Sequence, residues 1–405
     1  MTLTPHGGQR PLYLDVSTER LRSNMAALRR RQSGQKIWAV VKARAYGHGL
    51  DAAVQGFKEA DGLALLEIEE LAQARALGWK KPIVLLEGLF TESGLQEAAH
   101  FQADLVVHCA EQLHWLLTKS AQAKEFLQGK ARVWIKLNTG MNRLGFTACS
   151  LDAPGASGAN NTLLALGTDL EKLRAVLGPG RLGFMMHFAQ AESKSDSYQA
   201  LSVFHKALTL LGHKPQDEPI SLANSAAILS QPLACSGWLR PGILLYGSSP
   251  FQWKLGGSED TQASQALPME FCTASQLTTQ LLAIQELRVG DGVGYGLRYK
   301  ATRPMRIGVA ALGYADGFPR TAPDGIPMMI LGKRCPIVGQ VSMDLITLDL
   351  TEQPLARVGS PVEVWGDTLP LDEVAGRLGT LGYELLTCLT PRVQRRISSD
   401  FLSLG

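Results

Sequence analysis

Lys42 is the first residue whose surroundings suggest chemistry. It directly follows the apolar run Ala39–Val41, which is typical of a buried parallel strand. Burial disfavours the ammonium form, so a lysine held there is a better amine nucleophile near neutral pH and suits a Schiff base. Tyr46 then offers a hydroxyl, and Gly47 and Gly49 allow the close backbone turn that a phosphate-bearing cofactor uses. The plain alternative is a lysine that snorkels from a strand end.

Two more charged residues share the segment KLNTGMNRLGF, which continues another apolar run. Lys136 opens the segment, and the TGMNR loop that follows carries Arg143. A surface salt-bridge network is the ordinary interpretation of such a pair. The distinctive TGMNR sequence between Lys136 and Arg143 favours a binding site instead.

Three further segments carry candidate residues. His187 ends an apolar run in MMHFAQAE, where a lone histidine is more often a packed core residue than a catalyst. Asn224 and Ser225, in LANSAA, lie at the predicted start of a helix, where they suit capping and where a phosphate can also bind. Arg240 opens the segment RPGILLYG.

Apolar runs alternating with amphipathic stretches predict the strands that position these residues. A (β/α)₈ barrel of ~250 residues fits this alternation and places catalytic groups just after its strands. An open doubly wound sheet is the alternative, although no GxGxxG fingerprint follows the first strand. The predicted barrel strands are Ile37–Lys42, Gly62–Leu66, Ile83–Leu86, Leu105–Val107, Val133–Leu137, Leu182–His187, Ile220–Leu222 and Trp238–Leu245, after a leading strand at Arg10–Val16.

The length of 405 residues predicts two domains. A polar, Gly- and Ser-rich stretch at Gln252–Ala266 marks the predicted boundary, with the barrel at 1–262 and a mainly β domain at 263–405. A second small-residue stretch, Leu151–Asn161, is predicted to be a surface insertion. The strands expected beyond the boundary are Glu270–Leu282, Met305–Leu312, Pro327–Leu331 and Val341–Leu350.

Composition excludes several classes of partner. A formal charge of +3 with 19% charged residues implies no nucleic-acid or membrane partner. No apolar stretch approaches the ~20 residues that a membrane span needs. Met1–Gln9 lacks the pattern of a secretory signal, so a cytoplasmic location is expected. The six cysteines show no metal-ligand spacing, which predicts free thiols and no metal site.

The ordered motifs, taken together, resemble those of the alanine racemases over essentially the whole chain. AVVKARAYGHG is similar to the family's pyridoxal 5'-phosphate segment, which implies Lys42 as the aldehyde-binding residue and Tyr46 as a phosphate contact. The resemblance also implies that Lys136 is carbamylated and orients Arg143, which holds the cofactor's phenolic oxygen and the substrate carboxylate. The other cofactor contacts it implies are His187 against the ring, Asn224 and Ser225 at the helix start, Arg240 at the pyridine nitrogen, Gly242 and Ile243 on the phosphate, and Tyr383 in GYELLTCLTPRV, also on the phosphate.

The predicted β domain carries three motifs that match the same family. Tyr295 lies in GVGYGLRYKA, Tyr314 in ALGYADGFPR, and Met343 in VGQVSMDLITLDL. By resemblance Tyr295 is the second base, and Tyr314 and Met343 bind substrate at the entrance. In the family this tyrosine and methionine enter the site from a partner subunit, which implies a head-to-tail homodimer with shared active sites.

Racemisation is the activity that the resemblance implies. The α-proton leaves one face of a carbon and returns to the other, so two bases are needed. Lys42 would serve D-alanine and Tyr295 L-alanine, and the product D-alanine would feed cell-wall synthesis. Arg240 stays protonated and keeps the pyridine nitrogen neutral, which disfavours transamination and decarboxylation.

Three alternatives to an alanine racemase fit parts of the same pattern. A non-catalytic pyridoxal-phosphate carrier would need neither the second domain nor Tyr295, and a barrel-plus-β decarboxylase would be expected to protonate the pyridine nitrogen. A racemase of broader substrate range is the nearest alternative. The chain departs from the family pattern at Arg44, where an acidic residue is usual, at Asn138, where aspartate is common, and at Gln340, where arginine is usual.

Overall fold

The computed structural model describes residues 9–118, 120–148, 157–252 and 266–401, which form two compact units. The barrel unit comprises the described parts of Leu28–Ala45 and Phe57–Gly242. The β unit comprises those of Met1–Ala27, Tyr46–Gly56 and Ile243–Gly405. The predicted boundary at 262/263 lies outside the described residues and stays a prediction.

Parallel strands build the barrel unit. They are β2 (Lys36–Val40), β3 (Gly62–Leu65), β4 (Ile83–Leu85), β5 (Asp104–Val107), β6 (Val133–Asn138), β7 (Phe146–Thr147), β8 (Leu182–Met185), β9 (Ile220–Ser221) and β10 (Trp238–Leu239). Their order is β10-β2-β3-β4-β5-β6-β8-β9, with β7 paired only to β6. A parallel bridge between Asn224 and Arg240 links the segments that follow β9 and β10, so the ring of eight strands nearly closes. The predicted barrel is confirmed.

Three tryptophans pack together in this unit, and glycines make room for two of them. Trp38 stacks on Trp238 with ring centroids 4.2 Å apart, and Trp134 meets Trp38 edge-on at 6.3 Å. A Cβ at Gly62 would lie 2.2 Å from the Trp38 ring, and one at Gly183 would lie 2.7 Å from the Trp134 ring. The apolar runs that predict the strands therefore also fill the core.

Right-handed helices follow most of these strands, as a barrel requires. The right-handed α-helices of the described ranges, in both units, are α1 (Thr18–Arg31), α2 (Leu50–Gly56), α3 (Ile68–Ala76), α4 (Gly94–Phe101), α5 (Ala110–Leu117), α6 (Ala121–Gln128), α7 (Ser157–Leu177), α8 (Lys194–Leu210), α9 (Ser225–Ser230), α10 (Leu371–Arg377) and α11 (Gly382–Thr387). The predicted surface insertion Leu151–Asn161 stays a prediction, because residues 151–156 lie outside the described ranges and the structure shows only that α7 begins at Ser157.

Mixed strand pairing builds the β unit. Its strands are β1 (Leu12–Ser17), β11 (Ser275–Leu287), β12 (Gly292–Val293), β13 (Tyr299–Lys300), β14 (Met305–Ala310), β15 (Pro327–Ile330), β16 (Lys333–Pro336), β17 (Ile346–Asp349), β18 (Pro361–Trp365) and β19 (Gln394–Ser398). The main sheet runs β16-β15-β18-β11-β1-β19, and β14 pairs with β11 and β17. The predicted mainly β architecture is confirmed. The leading strand β1 joins this sheet, antiparallel to β11 and parallel to β19.

Some strands begin or end at residues other than the predicted ones. The run predicted at Trp238–Leu245 stops being a strand at Leu239, and Ile243–Tyr246 is a short 3₁₀ helix. Pro241 lies between them, and proline supplies no N–H to a strand ladder. The run predicted at Glu270–Leu282 is shifted to Ser275–Leu287, and that at Val341–Leu350 begins only at Ile346.

Two features are absent from the described ranges. No helix there has the length and apolarity that crossing a membrane requires. Likewise, within those ranges no three His, Cys, Asp or Glu side chains gather to hold a metal ion. Five of the six cysteines fall in the described ranges, where they are free thiols, and Cys149 lies outside them.

Candidate active site

Lys42 opens a left-handed turn in the barrel unit. Ala43, Arg44 and Ala45 have φ of 53°, 53° and 55° with ψ of 51°, 48° and 53°, and Tyr46 has a φ of 51°. Side chains other than glycine pay about 1–2 kcal/mol per residue in this conformation. The Ala45 N–H donates to the Val41 carbonyl at 2.8 Å and closes the turn. Strain of this kind is typical of functional sites.

The pKa values of two lysines in the barrel unit are lowered by burial and by nearby positive charges. Burial, then the charges of Arg240 and Arg143, lower the pKa of Lys136 to about 8. Burial and the Arg143 guanidinium also lower the pKa of Lys42. The carboxylate of Glu87 acts against these effects on both lysines. The cluster is therefore rich in positive charge and suits an anionic ligand.

Arg240 is buried and held by acceptors of the neighbouring strands. Its Nη1 donates to Ser221 Oγ at 2.5 Å, and its Nη2 donates to the Met186 carbonyl at 2.5 Å. Burial lowers the pKa of Arg240 to about 10, which leaves it protonated at neutral pH. A fixed, charged guanidinium at this place can donate to a ligand and cannot take up a proton.

The ring nitrogens of His187 both face donors. Nδ2 of Asn224 lies 3.4 Å from Nε2, and Nη2 of Arg240 lies 3.5 Å from Nδ1. The amide orientation of Asn224 follows from its Oδ1, which accepts the Ala227 N–H at 2.9 Å. Burial and the charge of Arg240 accordingly lower the pKa of His187 well below its usual value. The imidazole is a neutral flat ring at physiological pH.

The start of α9 has the predicted capping geometry. Asn224 is the N-cap, and the hydroxyl of Ser225 accepts the Gly242 N–H at 2.9 Å. The Gly242 N–H is used in this contact, and the Ser225 hydroxyl is a donor of the kind that phosphate oxygens bind. A cavity of about 290 Å³ adjoins His187 and Thr139, which also line the small pocket of Lys136 and Arg143.

The remaining predicted site residues belong to the β unit. Tyr46 stacks on Tyr246 with centroids 4.9 Å apart and lies 5.9 Å from the ring of Tyr383. Burial raises the pKa of Tyr46 and of Tyr383, so both phenols stay protonated donors. Ile243 opens the buried 3₁₀ helix that follows Gly242.

Tyr314 and Met343 lie on two loops of the β unit that are bound to each other. The Tyr314 N–H donates to the Ser342 carbonyl at 3.0 Å, and the Ala315 N–H donates to the Met343 carbonyl at 2.9 Å. Tyr295 begins a separate 3₁₀ turn. Its side chain is 74% exposed, and those of Met343 and Tyr314 are 52% and 38% exposed.

Comparison with known proteins matches this arrangement to one family. The family model described as "Alanine racemase, N-terminal domain" matches residues 16–250, and "Alanine racemase, C-terminal domain" matches residues 274–397. The chain belongs to the alanine racemase family. It is a pyridoxal-phosphate-dependent isomerase that interconverts L-alanine and D-alanine.

Individual racemases are similar over nearly their full length. The alanine racemase of Janthinobacterium sp. (strain Marseille) is 43% identical over 390 residues, covering 95% of this chain and 98% of that protein. That of Ralstonia nicotianae is 42% identical over 388 residues, covering 95% and 94%. The crystal structure of the biosynthetic alanine racemase from Pseudomonas aeruginosa is 40% identical with a TM-score of 0.81, covering 96% of this chain and all of that one.

The residues of the barrel unit fit the racemase cofactor. Pyridoxal phosphate combines an aldehyde, a flat aromatic ring and a phosphate. The site offers an amine of lowered pKa at Lys42, the neutral ring of His187, and the hydroxyl of Ser225. The surrounding lysines and arginines complement the negative charge of the phosphate.

Sequence reasoning missed two acidic residues that interact with the predicted site segment, Glu87 through its charge on Lys42 and Lys136 and Glu70 through the Arg44 N–H. Glu87 follows β4 by two positions, and applying the rule about strand ends to that strand would have found it. Glu70 lies inside α3, where an exposed helical carboxylate is the usual expectation. Its spacing from Leu71 and Ala74 places Glu70 on the buried face of α3, whereas Glu69 lies off that face and is exposed.

Proposed function

We propose that the chain racemises alanine by a two-base proton transfer, with Lys42 serving D-alanine and Tyr295 serving L-alanine. The observation that carries the proposal is the lowered pKa of Lys42, caused by burial and by Arg143. A neutral amine forms at lower pH than for an ordinary lysine, and only the neutral amine attacks a carbonyl or takes a proton.

Bound pyridoxal phosphate supplies an aldehyde that joins an amine and a ring that withdraws electrons from the α-carbon. The residues that would hold it are Lys42, Tyr46, Lys136, Arg143, His187, Asn224, Ser225, Arg240, Gly242, Ile243 and Tyr383. Arg143 would also hold the substrate carboxylate, since a guanidinium binds it through two parallel hydrogen bonds. Tyr314 and Met343 would limit the substrate to small amino acids.

Arg240 would favour racemisation over competing reactions. Its guanidinium is protonated at neutral pH and fixed by Ser221 and the Met186 carbonyl. It would therefore donate a hydrogen bond to the pyridine nitrogen of the cofactor without transferring its proton. The ring would then withdraw electrons less strongly from the substrate, which disfavours transamination and decarboxylation.

The second base would come from a partner subunit in a head-to-tail homodimer. The support is the exposure of Tyr295 and Met343 on the β unit, together with the family resemblance. A second copy would bury these side chains in its own active site. The proposed biological role is supply of D-alanine for cell-wall synthesis in the cytoplasm, and the free thiols of the described residues suit a reducing compartment.

Isotope exchange tests the assignment of the two bases. Wild-type enzyme in D₂O should exchange the α-proton of both alanine enantiomers and form D-alanine from L-alanine. Tyr295→Phe should lose exchange from L-alanine by about 10²–10⁴-fold, the usual contribution of a general base, and Lys42→Ala should lose all activity. Tyr198→Phe is a matched control, because Tyr198 is an exposed tyrosine on α8.

If Tyr295→Phe exchanges the α-proton of L-alanine at the wild-type rate, Tyr295 is not the base that acts on L-alanine. Running the assay with larger L-amino acids measures substrate range. Comparable rates for these substrates would assign the chain to the broader racemases.

A further inference from the structure

The strained turn after Lys42 is tied to a neighbouring helix by one carboxylate. Oε1 of Glu70 accepts the N–H of Arg44 at 2.7 Å, and Arg44 is the middle residue of the left-handed stretch Ala43–Ala45. Glu70 is only 8% exposed, although it lies in the first turn of α3. Both groups belong to the barrel unit.

The barrel brings the two elements together. β2 ends at Val40 and pairs with β3, with Val40 opposite Ala64. The Val41 N–H continues the ladder by donating to the Ala64 carbonyl at 2.8 Å. The turn after β2 and helix α3 after β3 therefore start from the same edge of neighbouring strands, and the buried residues Leu71 and Ala74 fix α3 in place.

Burial is the main influence on the charge of Glu70, and together with Glu67 it raises the pKa of this carboxyl. The backbone hydrogen bond from Arg44 and the Arg44 guanidinium act in the opposite direction and favour the ionised carboxylate. Arg44 is the position at which this chain departs from the acidic residue usual in the family. A third carboxylate at this position would repel Glu70, whereas the arginine attracts it.

We propose that Glu70 is a positioning residue that holds the left-handed turn at Arg44 and thereby fixes the place of the Lys42 amine. The inference rests on the proposed function of Lys42. A left-handed run without glycine relaxes unless its surroundings hold it. Glu70 supplies the hydrogen bond that opposes this relaxation, and misplacement of the amine slows its reactions without abolishing substrate binding.

Variants at Glu70 and its neighbour test the proposal in the full-length, cofactor-loaded enzyme. Glu70→Ala should lower kcat about 10–100-fold, the cost of misplacing a reacting group by about 1 Å, with a smaller change in KM for alanine. Glu70→Gln keeps an amide oxygen that accepts the Arg44 N–H, so it should recover most of kcat. Glu69→Ala alters an exposed carboxylate on the same helix and should match wild type.

Hydrogen exchange of the Arg44 and Ala45 amides gives a second readout that does not depend on activity. Exchange should accelerate in Glu70→Ala and stay near wild type in Glu70→Gln, with thermal unfolding monitored in parallel. If Glu70→Ala does not fold, Glu70→Asp replaces it, because its carboxylate ends one methylene short of Arg44 and kcat should again fall.

The proposal is overturned if Glu70→Ala, or Glu70→Asp in its place, folds and keeps both the wild-type kcat and the wild-type hydrogen exchange of the Arg44 and Ala45 amides. Equal losses in Glu70→Gln and Glu70→Ala overturn it as well, since charge rather than the hydrogen bond would then matter. If wild type forms no D-alanine, the proposed function fails, while the exchange data still decide whether Glu70 holds the turn.

Discussion

Nη2 of Arg240 lies 3.5 Å from Nδ1 of His187, so a fixed positive charge faces the ring that is expected to lie against the cofactor. Nδ2 of Asn224 faces the other ring nitrogen at 3.4 Å. With donors on both sides, a second ring proton has no acceptor. The contact therefore keeps the imidazole neutral and lets it act as a flat surface rather than as an acid.

The first prediction concerns the titration of His187. Its folded pKa is lowered by burial and by Arg240, so the unfolded chain binds a proton that the folded chain does not. Stability should fall as pH drops from about 6.5 toward the folded pKa. NMR of the ring nitrogens should show His187 neutral at pH 6, and Arg240→Gln should raise its pKa. Protonation of wild-type His187 at pH 6.5 or above contradicts this prediction.

The second prediction concerns the amine of Lys136. Its pKa of about 8 leaves a substantial neutral fraction at pH 8, and a neutral amine reacts with carbon dioxide. Protein prepared in ¹³C-bicarbonate should show one carbamate resonance by ¹³C NMR, and Lys136→Arg should remove it. Lys80→Arg, at an exposed lysine, should leave the resonance in place. A wild-type spectrum without the resonance would show that Lys136 remains an amine.

The third prediction concerns the proposed dimer. Tyr295 is 74% exposed and Met343 is 52% exposed on a single chain, and both should be protected when a second copy is present. Hydroxyl-radical footprinting should find them protected at high protein concentration and accessible on dilution. Specific activity should fall over the same concentration range, because the second base then leaves the site. If a sample that light scattering shows to be monomeric keeps full activity, a shared site is ruled out.

The fourth prediction concerns the ion pairs of Asp316, which lies in the same 3₁₀ turn as Tyr314. Asp316 is fully buried and accepts from Arg10 at 2.5 Å, while Arg392 binds Asp344 at 2.5 Å and lies 3.3 Å from Asp316. Asp316→Ala removes the buried acceptor of Arg10 and of the Gly313 N–H and should cost about 1–3 kcal/mol in urea unfolding.

A control with an exposed pair separates burial from charge loss. Asp367→Ala removes an exposed partner of Arg20 and should cost about 1 kcal/mol or less. KM for alanine should rise in Asp316→Ala because Asp316 also accepts the Gly313 N–H at 2.8 Å and so fixes the loop of Tyr314. Equal costs for the two variants would contradict the importance of burial.

The sequence by itself determined the barrel, the mainly β architecture and the racemase motifs. A strand is recognised from consecutive residues alone. Parallel strands that are buried on both faces appear in the sequence as continuous apolar runs. The position of Lys42 directly after such a run likewise needed no structure. The end of the strand at Leu239 was missed because Pro241 interrupts hydrogen bonding within a run that stays apolar.

Only the tertiary structure decided which distant residues meet. β1 is one strand by its pattern, yet its partners β11 and β19 lie more than 250 residues away along the chain. Glu70 has the same residue type as Glu69, and only the pairing of β2 with β3 directs it to Arg44. The left-handed turn after Lys42 is disfavoured by its own residues, so local preference predicts the opposite of what the surrounding contacts enforce.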